Sequence, residues 1–289
     1  MPLLITIKTY NMNNIFNIKR LGLVFKKDLQ ENGKRYMLLF ITMLGIITIF
    51  NTSYAISNYR DSQESINEQL LLISSLMYAA FGLLFASTFM TPMNSKIKRI
   101  TYLVNPSSNL EKYLTRWIIV TVIYSISFFI ALWVAEILRV AICTVRYPEV
   151  EMAFLDFNKL VSTGNDNGSF GYVFHKSQLL PSISIYLLLQ SLFVLGSTFW
   201  EKATFIKTFT AIVLIAASFI LICRWTILLS YGDLEGIGNA LNSLDPIKKN
   251  NINQEQVLLF FSLIISVFTL TNWALAFFRF RESEIIKRL

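Results

Sequence analysis

The residue types that usually carry catalytic or metal chemistry are sparse in this sequence. It has one histidine, His175, and two cysteines, Cys143 and Cys223, without the C-x-x-C or histidine spacing of a metal site. A zinc protease needs more ligands than this set provides, so we expect no metal site. The two cysteines could form a disulfide or stay as separate buried thiols, and we favour the thiols.

Nucleotide-binding and nucleophile motifs are also missing from the sequence. A P-loop ATPase requires G-x-x-x-x-G-K-[ST], whose backbone amides and lysine surround the phosphates, and no such run occurs. The stretch LGSTF at 195–199 lacks the G-x-S-x-G arrangement of a serine nucleophile. We therefore predict a protein that is not an enzyme and carries no cofactor, so that any ATP hydrolysis comes from a separate chain.

Charged residues inside apolar segments are candidates for function, because burial in hydrocarbon is costly unless they face protein or water. Glu136 lies in segment 117–138 and Arg224 in segment 208–230. Counted from the beginning of each segment at 1.5 Å per residue, both lie at a similar depth in the membrane, roughly 25 to 28 Å. We predict that they form an ion pair in an extracellular gate. Arg139 is a rival partner for Glu136, and Arg224 could instead extend to the lipid headgroups.

Two amide side chains lie deeper in the apolar segments. Gln190 and Asn272 either line a translocation path or hydrogen-bond neighbouring helices to one another. We favour the second role for both.

The composition of the chain indicates the elements that must position these residues. With 289 residues, 54% of them apolar and 15% charged, it falls outside the balance of soluble domains, which carry about 25% charged residues. Its apolar residues concentrate in six blocks of about twenty residues, each long enough to cross a hydrocarbon layer roughly 30 Å thick. We predict one all-α transmembrane domain over 1–289, with spans near 36–56, 70–91, 117–138, 181–200, 208–230 and 257–278.

The basic residues predict how the chain is oriented. If both termini are cytoplasmic, the segments on that side carry 18 of the 26 lysines and arginines, as the positive-inside rule expects. Most acidic residues fall on the opposite side. The net charge of +8 is thus explained by membrane topology, and we expect no nucleic-acid partner.

The segment before the first span has the pattern of an amphipathic helix. Over 14–32, apolar residues recur at helical spacing, and Asn32-Gly33 predicts a turn that ends the helix before the first span. Such a helix lies in the lipid interface, either as an anchor or as an elbow that contacts a cytoplasmic partner. Its candidate contact residues are Lys19, Arg20, Phe25, Lys26 and Lys27.

The loop between spans two and three, 94–116, is longer than a plain connection, which typically has 2 to 8 residues. Ile97, Ile100 and Val104 fall on one stripe of a short amphipathic segment. The sequence Ser108-x-x-Glu111 then has the form of a capping box that starts a new helix. The extra length indicates a docking surface, and the alternative is a solvated basic loop.

Together these segments resemble the membrane subunit of ABC-2-type ATP-binding-cassette exporters. The resemblance rests on LGLVFKKDLQENGKRY before span one, on six spans with both ends inside, and on NPSSNLEKYLTRW at the start of span three. It implies a multi-pass permease of the bacterial cytoplasmic membrane that pairs with a second permease subunit and a separate cytoplasmic ATPase. The residues that it assigns to ATPase coupling are Ser95, Lys96, Ile97, Lys98, Arg99 and Ile100, with Ser108 and Glu111 holding the next helix.

A different class of protein would fit the same features. A non-transporting sensor, immunity or assembly protein could use the basic loop to anchor a cytoplasmic partner. The long loop 139–180 departs from the common pattern of the exporter family.

Overall fold

The computed structural model describes residues 16–60, 62–149, 153–155, 161–162, 174–200, 202–231 and 254–282. Within these residues, six helical stretches are long and apolar enough to cross a membrane, which confirms the six predicted spans. The chain is a multi-pass membrane protein. The helices are α1 (Ile18–Ser57), α2 (Gln63–Ser87), α3 (Lys96–Val104), α4 (Asn109–Ile118), α5 (Tyr124–Arg146), α6 (Lys176–Phe199), α7 (Thr204–Tyr231) and α8 (Gln254–Glu282).

The third span is built from two helices and a wider turn. A π-helical segment, Ile119–Ile123, joins α4 directly to α5, so the helix that begins at the capping box continues into the membrane. On the other side of α3, a short 3₁₀ turn, Thr91–Met93, connects it to α2. Two short strands, β1 (Val161–Ser162) and β2 (Phe174–His175), pair in parallel.

The predicted break at Asn32-Gly33 does not occur, because α1 is one helix of 40 residues. The Asn32 amide donates to the backbone oxygen and the carboxylate of Asp28 one turn earlier, so its side chain is satisfied inside the helix. A Gly inside a helix costs about 1 kcal/mol, which tertiary contacts can offset. Of the predicted interfacial helix, residues 14 and 15 lie outside the described part of the chain, and its position at the lipid surface stays a prediction.

Contacts between helix ends define two ends of the bundle. At one end, which we call the basic end, α1 begins beside α4, Tyr102 of α3 packs against Phe280 of α8, and Arg279 lies over the ring of Phe199. At the opposite end, Tyr59 stacks on Tyr147, with 4.3 Å between the ring centroids. The basic end therefore contains the start of α1, helix α3, the start of α4, and the last turns of α6 and α8.

The core consists of aromatic and aliphatic clusters between the helices. One lies near the basic end and joins α2, α4, α6 and α8; another fills the space between α1, α2 and α5. The first includes Phe89, Met93, Tyr113, Phe193 and Phe280, and the second includes Met43, Ile47, Tyr124, Phe128 and Leu132.

Two glycines allow helices to approach closely. A Cβ on Gly196 would overlap the side chain of Thr208, so this glycine sets the distance between α6 and α7. A Cβ on Gly82 would overlap the hydroxyl of Tyr186, at the contact of α2 with α6. In lipid, where apolar burial drives helix association weakly, such close packing is a main source of stability.

Candidate partner-docking and coupling site

Helix α3 presents an apolar face away from the bundle. Ile97, Ile100 and Val104 are 80%, 54% and 75% exposed, as their predicted common stripe requires. We call these three residues the α3 face. They lie outside the six candidate spans, which end at Met93 and resume at Asn109. A compact apolar surface on a short connecting helix is typical of a protein or membrane contact.

The opposite side of α3 is fastened to the bundle. Arg99 donates from Nη2 to the carbonyl of Met93, at 3.2 Å, and Tyr102 donates its hydroxyl to the carbonyl of Lys112 on α4, at 3.2 Å. The Lys112 ammonium lies 5.9 Å from the centre of the Tyr102 ring. Burial raises the pKa of Tyr102 to about 12, so the phenol keeps its proton at neutral pH and remains a donor. The helix is thus held in a fixed position.

Glu111 connects α4 to the start of α1. It completes the predicted capping box, in which the Ser108 hydroxyl accepts from the Glu111 amide and the Glu111 carboxylate accepts from the Ser108 amide. Its Oε1 also accepts from the backbone amide of Asn17, at 2.8 Å, and from Arg20, at 3.0 Å from Nη2. The carboxylate is fully buried. Because one side chain caps one helix and binds the first residues of another, α1 and α4 are joined at their N-termini.

A second buried ion pair joins the same two helices further along. Arg116 of α4 lies 3.2 Å from the carboxylate of Asp28 and donates to the hydroxyl of Tyr36 at 2.8 Å. Tyr36 in turn donates to Asp28 at 2.9 Å. These three side chains form a closed triangle, and sequence reasoning did not single out any of them for this role.

A cavity of about 300 Å³ lies between α1, α3 and α4. Its walls include Asp28 and Arg116 of the ion pair and Ile97, Thr101 and Tyr102 of α3. Of the α3 face, Ile97 therefore borders open space on the side of α1.

The α4 helix also contacts the last span and the π-helical segment. Tyr113 donates its hydroxyl to the carbonyl of Trp273 on α8, at 2.9 Å. Further along, the Gln190 amide on α6 donates to the carbonyl of Val120, inside the π-helical segment, at 3.3 Å. A π-helical turn widens the helix and often occurs at functional sites. The chain of contacts thus runs from α3 through α4 to α6 and α8.

At the opposite end of the bundle, Glu136 takes the rival partner, Arg139, in place of the predicted Arg224. The two groups are buried and make a bidentate pair, with 2.6 Å between Arg139 Nη2 and Glu136 Oε1. The same groups bind residues 153–155, which we call the strap, since Glu136 accepts from the Leu155 amide and Arg139 donates to the Ala153 carbonyl. Arg224 is exposed on α7. Residues three apart on a helix face one another, which favours the local pair.

The other residues predicted for the path hold helices together. Gln190 binds Val120 as described, and Asn272 of α8 donates to the hydroxyl of Ser191 on α6, at 3.0 Å. Their part in translocation, like the gate role of Glu136 and Arg224, stays a prediction. Cys143 and Cys223 are separate free thiols, as favoured from the sequence.

The residues predicted to contact an ATPase are not equivalent. Ile97, Ile100 and Ser95 are exposed, whereas Arg99 is half buried and directed to Met93. The side chains of Lys96 and Lys98 lie outside what the structure describes. On α1, Lys19 and Lys26 are exposed, Phe25 is half buried and Lys27 lies 3.8 Å from Glu31.

Comparisons with protein-family models, characterised proteins and solved structures found no match to this chain. The described residues contain no group of three or more His, Cys, Asp or Glu side chains that could hold a metal ion.

Proposed function

We propose that the chain is the membrane subunit of an ATP-binding-cassette exporter, driven by a separate cytoplasmic ATPase. The observation that supports this most is the α3 face: an exposed apolar surface on a short helix whose other side is hydrogen-bonded to the start of span three. A surface that receives force from a partner must be exposed to that partner and must also be connected to the spans. The exporter family that the sequence resembles places its coupling helix in the same loop.

The proposed mechanism is mechanical. Closure of an ATPase dimer on ATP pushes the α3 face, and the bond from Tyr102 to the Lys112 carbonyl passes the displacement to α4. The pairs of Glu111 with Arg20 and of Arg116 with Asp28 make α1 move with α4. Span three then tilts about its π-helical segment, and a path opens between this subunit and a second membrane subunit.

The alternative, a non-transporting membrane protein that anchors a cytoplasmic partner, uses the same surface. It does not require a connection from the α3 face into the spans. The continuous helical path from Asn109 through Ile119–Ile123 to Arg146 favours the mechanical role over simple anchoring.

The test is co-purification of ATPase activity with the full-length chain from membranes of its natural host. We expect the wild-type chain to retain a polypeptide with a G-x-x-x-x-G-K-[ST] motif, identified by mass spectrometry, together with ATP hydrolysis. The variant Ile97→Asp/Ile100→Asp should lose both. Val145→Asp is the matched control, because Val145 is 85% exposed at the opposite end of the bundle. Wild-type protein without such a polypeptide, or equal retention by the α3 variant, would contradict the proposal.

A further inference from the structure

An open apolar cleft lies on the side of the bundle, between α1, α2 and the beginning of α5. Its volume is about 480 Å³, within the roughly 300 to 1,000 Å³ usual for ligand sites. Residues on its walls include Leu39, Phe40, Ile46, Phe81, Leu84 and Ser127. The cleft is separate from the α3 face and from the cavity beside it.

The cleft has few polar groups available to a ligand. Thr42, Ser87 and Thr88 are on its walls, but each hydroxyl donates to a carbonyl of its own helix, at 2.6 to 2.8 Å. Tyr124 likewise donates to the carbonyl of Tyr78. An occupant therefore meets hydrocarbon and aromatic surface along most of the cleft, and a polar solute would lose its hydration without compensation.

Part of the cleft has the length of one leaflet of a bilayer. Along α1 the cleft runs from Leu29 to Ile46, about 26 Å at 1.5 Å per residue, and its stretch from Tyr36 to Ile46 covers about 15 Å, half of a hydrocarbon layer roughly 30 Å thick. Immediately before Tyr36 come Lys34, which is exposed, and Arg35, which is partly exposed. Basic side chains at this position lie at the level of the headgroups and attract anionic lipids.

We propose that this cleft binds one acyl chain of a phospholipid with an anionic headgroup, drawn from the leaflet at the basic end. The chain fills the apolar length from Ile46 to Tyr36, and the phosphate lies beside Arg35, which is on the cleft side of α1, whereas Lys34 is on the opposite face of that helix. This site is independent of ATPase coupling, since it uses none of the residues of the α3 face.

The site can be tested with the full-length chain in nanodiscs that contain equal amounts of phosphatidylglycerol and phosphatidylcholine, followed by native mass spectrometry of the released protein. We expect wild type to retain one phosphatidylglycerol. Ser127→Phe places a ring in the cleft and should abolish retention. Ser218→Phe, the same change at an exposed position of α7, should leave retention unchanged.

A second pair of variants keeps the proposal falsifiable if Ser127→Phe fails to fold. Lys34 and Arg35 both lie outside the clusters that pack the core. Arg35→Gln should lower the preference for phosphatidylglycerol over phosphatidylcholine roughly fivefold, and Lys34→Gln, on the opposite face of α1, is the control that should leave this preference unchanged. No lipid on wild type, equal retention by a folded Ser127→Phe variant, or an unchanged headgroup preference in Arg35→Gln would each overturn the proposal.

Discussion

Glu111 and Arg20 are 91 positions apart in the sequence, yet the Glu111 carboxylate lies 3.0 Å from the Arg20 guanidinium and is fully buried. The same carboxylate closes the capping box of α4. One acidic residue therefore both starts the helix of span three and binds the first turn of α1. If α4 moves, α1 must move with it, or the pair of Glu111 with Arg20 must break.

Removal of Glu111 should destabilise the protein more than removal of its capping partner. Ser108→Ala should cost about 1 kcal/mol, because it removes one cap bond. Glu111→Ala should cost more, about 3 kcal/mol, because it also removes the buried carboxylate that accepts from the Asn17 amide and from Arg20. Heat denaturation followed by size-exclusion chromatography in detergent measures the order of these effects. Lys27→Ala, which breaks a largely exposed pair, is the control, and a larger loss there than at Glu111 would contradict this account.

The pair of Asp28 with Arg116 predicts a strong dependence of one residue on the other. Asp28→Leu or Arg116→Met alone leaves a buried charge without its partner and should cost about 3 to 5 kcal/mol. The double variant removes both charges and should be much closer to wild type. The same denaturation assay, arranged as a double-mutant cycle, gives the coupling energy. Additive effects of the two changes would show that the pair contributes little.

Gly196 should not tolerate a methyl group unless Thr208 becomes smaller. Gly196→Ala places a Cβ on the Thr208 side chain and should cost about 1 to 3 kcal/mol by overpacking. Thr208→Ala removes the hydroxyl and methyl that would overlap, so the double variant should recover part of this loss. Thermal stability of the four proteins measures the recovery. A Gly196→Ala variant as stable as wild type would mean that α6 and α7 are not in close contact at this point.

Glu136→Ala should release the strap at 153–155 at the opposite end of the bundle. Its carboxylate accepts from the Leu155 amide at 3.0 Å and orients Arg139 toward the Ala153 carbonyl. We expect faster hydrogen exchange at the Leu155 amide, measured by mass spectrometry of peptides that cover the strap. Arg224→Ala, on exposed α7, is the control and should leave this exchange rate unchanged. An unchanged exchange rate in Glu136→Ala would show that Glu136 does not hold the strap in place.

Local features of the structure were predictable from the sequence. The six spans follow from runs of apolar residues, and the capping box follows from Ser108 and Glu111 at the required spacing, so both depend on neighbouring residues alone. The exposed stripe of α3 follows from the spacing of Ile97, Ile100 and Val104. The partner of Glu136 was also readable in principle, because Arg139 lies on the same face one turn away.

Features that depend on contacts between distant segments were not predictable. The Asn32-Gly33 pair is a common turn signal, but Asp28 and Tyr36 bind Arg116 of another helix and hold the segment helical. Arg99 was expected to contact a partner, whereas it binds the carbonyl of Met93. Sequence shows which side chains are charged, and only the packing of the helices decides which of them are buried.

A photo-crosslinker placed at position 97 of the full-length chain in its native membrane would identify what contacts the α3 face. We expect an adduct with a chain that carries the G-x-x-x-x-G-K-[ST] motif, and no such adduct from position 145 at the opposite end of the bundle. An adduct with lipid alone, or with a partner that has no nucleotide-binding motif, would contradict the claim that force enters the spans through the α3 face.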